Sequence, residues 1–194
     1  MANMMHFDYG RLIGYAWETL LGVWLVSWFT AKRTVRAESS WQNWGRMFLM
    51  WAVFYFLYFS PPRSAFLHYR LVPQTDDWVI GGTVLTLAGI AFTIWARFAL
   101  GRNWSAKVTI KREHELIVSG PYRIVRNPIY TGVFFALVGT SIALGQVRHF
   151  LVLPVLLASW ISKIVTEQRL LTEQFGEQYV EYCRKVKAFI PYVV

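Results

Sequence analysis

The sequence predicts an all-α integral membrane protein of about five transmembrane helices. Three observations carry that expectation. Of the 194 residues, 55% are hydrophobic and only 16% charged, where a soluble domain carries about 25% charged residues. The apolar residues are gathered into five long blocks rather than spread in short core-sized patches. The basic residues fall mainly between alternate blocks, not along one face.

The blocks follow one another along the chain. The first runs from about Leu12 to Ala31 and contains Glu18; the second, from about Trp44 to Ser60, stops at Pro61-Pro62. The third runs from about Trp78 to Leu100 and contains Arg97. Each is near the roughly 20 residues a helix needs to cross the hydrocarbon core. The fourth, about Ile129 to Leu144, and the fifth, about Phe150 to Val165, are shorter, and Gly145 to His149 separates them. So short a link predicts an antiparallel hairpin. The N-terminal run MANMMHFDYGRLIGYAWE has neither a basic leader region nor a small-residue cleavage site, so the first block is expected to stay as an anchor.

Charge predicts orientation. Lys32, Arg33, Arg36 and Arg46 lie around the first loop. Arg102, Lys107, Lys111, Arg112, Arg123 and Arg126 lie in the third, and Lys163, Arg169, Arg184, Lys185 and Lys187 at or after the end of block five. The opposite side holds Arg11, Arg63, Arg70 and Arg148. The bias predicts the third loop and the C-terminus in the cytoplasm and the N-terminus outside. It also explains the net charge of +9 without nucleic acid as a partner. Trp41, Trp44, Trp78 and Trp104 stand near block ends, as interfacial anchors do.

Two cytoplasmic stretches hold most of the polar residues. The third loop, GRNWSAKVTIKREHELIVSGPYRIVRNPIY, contains two short β-like runs, Lys107 to Ile110 and Leu116 to Val118, before a turn at Gly120-Pro121. The tail predicts an amphipathic helix, with Leu170, Leu171, Phe175, Tyr179 and Tyr182 at three- and four-residue intervals, a break near Gly176 and an end at Pro191. A single cysteine, Cys183, excludes an intrachain disulfide and a Cys-based zinc site. The four histidines show no HExxH-like spacing, so no metal site is expected. There is no GxGxxG and no GxxxxGK[ST], hence no sign of a Rossmann or P-loop nucleotide site.

Arg126-Asn127-Pro128-Ile129-Tyr130 stands where the third loop re-enters the membrane. Pro128 suits a first helical turn, Asn127 suits an N-cap, and the free N–H groups there would suit a carboxylate. The stretch reads equally as a plain helix start with interfacial Arg and Tyr. Lys163 and Glu167 are four apart and share a helix face, although Lys163 would also serve simply by snorkelling to the headgroups. Glu18 and Arg97, inside apolar blocks, are functional candidates or partners of each other.

The ordered set is more specific than its parts. It runs Asn103-Trp104-Ser105, then His114-x-Leu116-Ile117-x-x-Gly120-Pro121-Tyr122, then Val125-Arg126-Asn127-Pro128-Ile129-Tyr130-x-Gly132. After the hydrophobic hairpin come Glu167-Gln168-x-Leu170-Leu171-x-x-x-Phe175-Gly176-x-x-Tyr179-x-x-Tyr182 and Phe189-Ile190-Pro191. This pattern, over about residues 101 to 192, resembles the isoprenylcysteine carboxyl methyltransferase family, especially its short prokaryotic members, and the related phospholipid N-methyltransferases.

The resemblance implies three N-terminal transmembrane helices over residues 1–100 and a methyltransferase region over 101–194. It implies a cytoplasmic pocket for S-adenosyl-L-methionine, released as S-adenosyl-L-homocysteine, formed by the third loop, the last helical hairpin and the C-terminal segment. Carried over by position, His114, Leu116 and Ile117 would line the adenosine. Gly120, Tyr122, Arg126, Asn127 and Tyr130 would approach the cofactor, with Pro128 shaping the backbone. Glu167 and Gln168 would sit near the sulfonium or the acceptor. The reaction expected is in-line methyl transfer to a lipophilic or lipidated acceptor that enters from the bilayer, foremost a carboxylate. An ionised carboxylate needs no base, whereas an amine or thiol must lose a proton, and Glu167 is the carboxylate in the pattern to take it. Lys163 or Arg126 would hold an anionic acceptor or the cofactor's own carboxylate.

The chain departs from the family pattern at three places. Asn127 stands where the family usually has His, Gln168 where it usually has a second Glu, and Lys163 where it often has Arg. These bear on the acceptor more than on methyl transfer. The alternatives are a phospholipid or small-molecule N- or S-methyltransferase, a nicotinamide-dependent membrane reductase, and a non-catalytic membrane protein.

Overall fold

The computed structural model describes residues 8–30, 34–37, 48, 55, 65–101, 109–111 and 116–190. The second apolar block lies outside the described residues apart from Phe48 and Tyr55. Helix α1 spans Tyr9–Thr30, strand β1 Thr34–Ala37 and the single turn α2 Ala65–His68. They are followed by α3 Asp76–Leu100, β2 Thr109–Lys111, a 3-10 turn Gly120–Arg123 and α4 Pro128–Leu144. The chain continues with α5 Val147–Phe175 and α6 Glu177–Lys185.

The helical class holds, with one small addition. β1 and β2 pair antiparallel, Arg36 opposite Ile110 and Ala37 opposite Thr109, with an irregularity between Thr34 and Arg36. The ribbon ties the chain after α1 to the third loop. The second β-like run, Leu116 to Val118, forms no strand with any of the described residues.

The core is set by how closely α3 and α4 approach. Gly82, Thr86, Gly89 and Thr93 line one helix; Gly132, Ala136, Gly139 and Ala143 line the other, and all are buried. A methyl carbon placed on Gly89 would stand 2.5 Å from the Ala136 nitrogen and 2.6 Å from the Gly132 carbonyl oxygen. One on Gly139 would stand 2.5 Å from the Gly82 oxygen. The two backbones therefore touch, as small residues allow where lipid supplies no hydrophobic drive between helices. Threonine hydroxyls satisfy the polar groups this exposes. Thr86 Oγ1 donates to the Gly82 carbonyl at 2.9 Å and stands 3.2 Å from Thr140 Oγ1, which accepts from Trp17 Nε1 at 3.1 Å. Trp17 and Leu20 thus join α1 to the same core as Ile90 and Ala136.

The outward faces are apolar. Leu25, Val26, Phe29, Phe98, Ile161 and Val165 are all exposed, Phe29 at 88%. Among the described residues, α3 and α5 are long and apolar enough to cross a membrane, and α4 is a shorter apolar helix of 17 residues. Lipid, not water, suits such surfaces.

Several boundaries differ from expectation. α5 begins at Val147, so the hairpin link is Gly145-Gln146 alone, with Gly145 left-handed at φ 74°. Expecting a longer link undercounted the helix because Arg148 and His149 are polar, yet both belong to its first turn. α5 then runs unbroken past Glu167 to Phe175, and Gly176 (φ 53°) supplies the expected break. The tail helix ends at Lys185, not at Pro191, which lies outside the described residues. Val186 is extended, and beyond it the Lys187, Ala188 and Phe189 carbonyls accept hydrogen bonds from the start of α4.

Candidate active site

The site is built at one end of α4 and α5. Before α4, Gly120 adopts φ 60°, a left-handed turn that a side chain would strain. It sends Pro121 and Tyr122 inward beneath the end of α3, where both are buried. Val125, fully buried, closes the same turn through its amide bond to the Pro121 carbonyl.

The extended segment after α6 lies across the start of α4. The Arg126 amide donates to the Lys187 carbonyl at 2.8 Å and the Asn127 amide to the Ala188 carbonyl at 3.1 Å. Asn127 Nδ2 donates to the same Ala188 oxygen at 2.8 Å, and Thr131 Oγ1 to the Phe189 carbonyl at 2.7 Å. Phe189 packs edge-on against Phe134, ring centroids 5.5 Å apart. Asn127 therefore does not cap α4 with its side chain as expected; its carbonyl accepts from the Thr131 amide, but its side-chain amide fastens the C-terminal strap. Tyr182 completes the clasp by donating its hydroxyl to the Tyr122 carbonyl.

Three of the expected residues, Tyr130, Lys163 and Glu167, come together next to this strap. Tyr130 on α4 directs its hydroxyl at Glu167 Oε2 on α5, 3.5 Å away. That is long for a bond between oxygens, a looseness common in catalytic pairs before substrate tightens them. Lys163 Nζ stands 5.5 Å from the centre of the Tyr130 ring, within cation–π range. Trp160 backs the same ring, centroids 5.7 Å apart. Trp160, Lys163 and Glu167 thus form one stripe on α5. Gln168, partly buried, lies about 100° further round that helix, by the 3.6-residue turn. Arg126 has its Nε buried with no hydrogen-bond partner among the described residues.

Three buried tyrosines surround these groups. Burial pushes the phenols of Tyr122, Tyr179 and Tyr182 well above the ordinary tyrosine range. Glu167 adds to the shift at Tyr122; at Tyr179 Cys183 raises it further, and Arg126 partly offsets it at Tyr179 and Tyr182. A raised phenol pKa means that the fold favours the neutral ring. Its stabilisation is complete below the unfolded value of about 10 and is lost as pH rises through the folded value. Alkaline titration followed by phenolate absorbance should therefore leave three tyrosines un-ionised after the exposed ones have titrated. Their appearance should coincide with loss of helical structure.

Leu116 and Ile117 are partly buried, while His114 and Asn103 to Ser105 lie outside the described residues. Arg97 is not part of the cluster. It is buried and donates to the Gly101 carbonyl at 2.8 Å and the Ser27 carbonyl at 3.4 Å, so it clamps the end of α3 to α1. Glu18 stands exposed on α1. Sequence reasoning missed Trp160, whose three- and seven-residue spacing to Lys163 and Glu167 was the available signal. It also read Tyr179 and Tyr182 only as an apolar face, since nothing local shows that the strap turns them inward.

Outward apolar helix faces, with a C-terminal strap on the start of α4 beside a Tyr–Glu–Lys cluster, define a helical membrane protein. A family model described as phospholipid methyltransferase matches residues 78–178. The chain is 31% identical to a probable protein-S-isoprenylcysteine O-methyltransferase of Oryza sativa subsp. indica, over 63% of this chain and 68% of that one. It is 30% identical over 115 residues to protein-S-isoprenylcysteine O-methyltransferase B of Arabidopsis thaliana, spanning 58% of that relative's length. Among solved structures it is similar to a eukaryotic intramembrane Ras methyltransferase, an isoprenylcysteine carboxyl methyltransferase, with TM-score 0.53 and 27% identity. That similarity covers 80% of this chain and 54% of the other. The chain belongs to the isoprenylcysteine carboxyl methyltransferase family.

Proposed function

We propose that the protein is an S-adenosyl-L-methionine-dependent methyltransferase acting on a lipophilic acceptor, foremost one that presents a carboxylate. The observation that carries this reading is the junction of Tyr130, Lys163 and Glu167 next to the C-terminal strap, together with the buried Nε of Arg126, which has no hydrogen-bond partner among the described residues. A buried guanidinium N–H without an acceptor fits a ligand carboxylate. The electron-rich faces of Tyr130 and Trp160 fit a positive sulfonium. The donor set therefore suits the cofactor that the family implies.

That cofactor supplies a methyl group already activated by the positive charge on its sulfur. The chain's own residues bind, orient and exclude water. Arg126 holds a carboxylate; Leu116 and Ile117 offer an apolar wall, His114 joining them by position. Gly120 and Pro128 shape the backbone on either side of Tyr122, and Asn127 holds the strap shut. Tyr130, steadied by Trp160 and Glu167, fixes the line of attack, where misplacement by about 1 Å costs about 10²-fold. Lys163 attracts an anionic acceptor, and Gln168 lies at the edge of the same opening. Apolar faces of α3, α4 and α5 let a lipidated acceptor arrive from the bilayer. The basic bias of the third loop and tail puts this end in the cytoplasm and the N-terminus outside.

The direct test incubates detergent-purified protein with radiolabelled methyl donor and a lipid extract of its host, and identifies the labelled product. A labelled methyl ester is the expected result; no labelled product in any fraction would sink the proposal. Replacing Arg126 by Ala should weaken S-adenosyl-L-homocysteine binding about 10- to 100-fold, since a hydrogen bond to a charged group contributes about 1.5–3 kcal/mol. Calorimetric titration checks this, and an unchanged affinity would remove Arg126 from the pocket.

A further inference from the structure

The end of the bundle opposite Tyr130 and Glu167 holds a second polar arrangement that methyl transfer does not use. The left-handed turn at Gly145 offers its carbonyl to the amides of Leu71 and Val72, at 2.9 and 3.2 Å, and the Val147 amide donates to the Tyr69 carbonyl. Arg70 sits within this knot. Its Nη2 reaches the Leu144 carbonyl at 3.3 Å, while its Nε is buried with no hydrogen-bond partner among the described residues. The ion pairs found among those residues do not include Arg70. Arg148 approaches from the first turn of α5, its Nε donating to Gln146 Oε1 at 2.8 Å, and Gln146 is the β-bridge partner of Arg70. Both guanidinium groups act electrostatically on buried His149.

We propose that this end binds the phosphodiester group of an anionic phospholipid, clamped by Arg70 and Arg148. Two cations brought to one helix start, itself the positive pole of a 29-residue helix, favour an anion between them. A buried guanidinium N–H needs an acceptor, and phosphate oxygens match its fork. The site lies where apolar helices end, which is headgroup depth. Tyr69, Leu71, Leu144 and Leu151, all exposed around it, offer a wall for acyl chains. Inorganic phosphate shares the headgroup chemistry but would make no use of that wall.

The test uses the full chain purified in detergent. Native mass spectrometry and thermal unfolding are run with phosphatidylglycerol, phosphatidylcholine or inorganic phosphate. Phosphatidylglycerol should remain bound and raise the unfolding temperature, with the other two doing neither at equal concentration. Arg148→Gln leaves the Arg70 contact and the Gly145 knot in place, and should lower phosphatidylglycerol affinity about tenfold while unfolding as the parent does without lipid. Equal retention of both lipids, or parental affinity in Arg148→Gln, would overturn the proposal. So would inorganic phosphate reproducing the whole effect, since it would mark a small-anion site. These readouts are independent of methyl transfer.

Discussion

Gly89→Ala should unfold at a markedly lower temperature than the parent protein, while Gly81→Ala, in the same helix, should not. At Gly81 an added methyl meets nothing within 4 Å. That position gains from alanine's helix propensity, by about 0.5–1 kcal/mol. At Gly89 the same methyl would sit 2.5 Å from the Ala136 nitrogen and 2.6 Å from the Gly132 carbonyl oxygen. Backbone atoms of a neighbouring helix cannot rotate aside as a flexible side chain can, so α3 and α4 must separate. Overpacking costs about 1–3 kcal/mol, and Gly89 belongs at the upper end because both obstructing atoms are main chain. Separation would also stretch the contacts of Thr86 with Ala136 and Thr140. Thermal unfolding of the purified variants, scored by circular dichroism, decides the matter. Equal unfolding temperatures for the two variants would mean the helices are not in backbone contact. Activity should fall alongside stability, since α4 carries Tyr130.

Glu167→Ala should lower kcat/KM about 100-fold, and Glu167→Gln should reveal the acceptor. The alanine variant removes the partner of the Tyr130 hydroxyl and leaves Lys163 beside an empty position on its helix face. Loss of alignment of about 1 Å is worth about 10²-fold. Glutamine keeps the length and an oxygen that can accept from Tyr130, but neither the charge nor the basicity. With a carboxylate acceptor, already ionised, most of the rate should survive in Glu167→Gln. With an amine or thiol acceptor, the rate should fall by a further general-base factor, about 10²–10⁴. Steady-state kinetics on both variants, with the purified acceptor, reads the difference. Turnover unchanged in Glu167→Ala would exclude this carboxylate from the site.

The membrane character was legible because it rests on composition and block length, which need no tertiary information. Blocks three to five appear as α3, α4 and α5, displaced by one to three residues at their starts. At α3 and α5 polar residues such as Asp76 and Arg148 stand in first turns whose apolar character starts later, and α4 gains Pro128 as its first residue. Tyr130, Lys163 and Glu167, named separately along the chain, lie together in the structure. Asn127 holds the N-cap position of α4 as read, but its side chain does not make the capping bond. A local rule assigned its side chain to the nearest helix start, and a segment 61 residues away competed for it.

The sequence by itself determined which stretches are apolar enough to leave water, that the chain turns at Gly120-Pro121 and breaks near Gly176, and which polar residues flank the re-entry into lipid. These are properties of a residue and its near neighbours. Only the tertiary structure decided that α3 and α4 touch at their glycines, that the strap of Lys187 to Phe189 closes over α4, and that Arg97 gives its two Nη groups to backbone carbonyls. Each of those depends on which distant groups reach a given hydrogen-bonding atom first. Spacing along the chain carries no record of that competition.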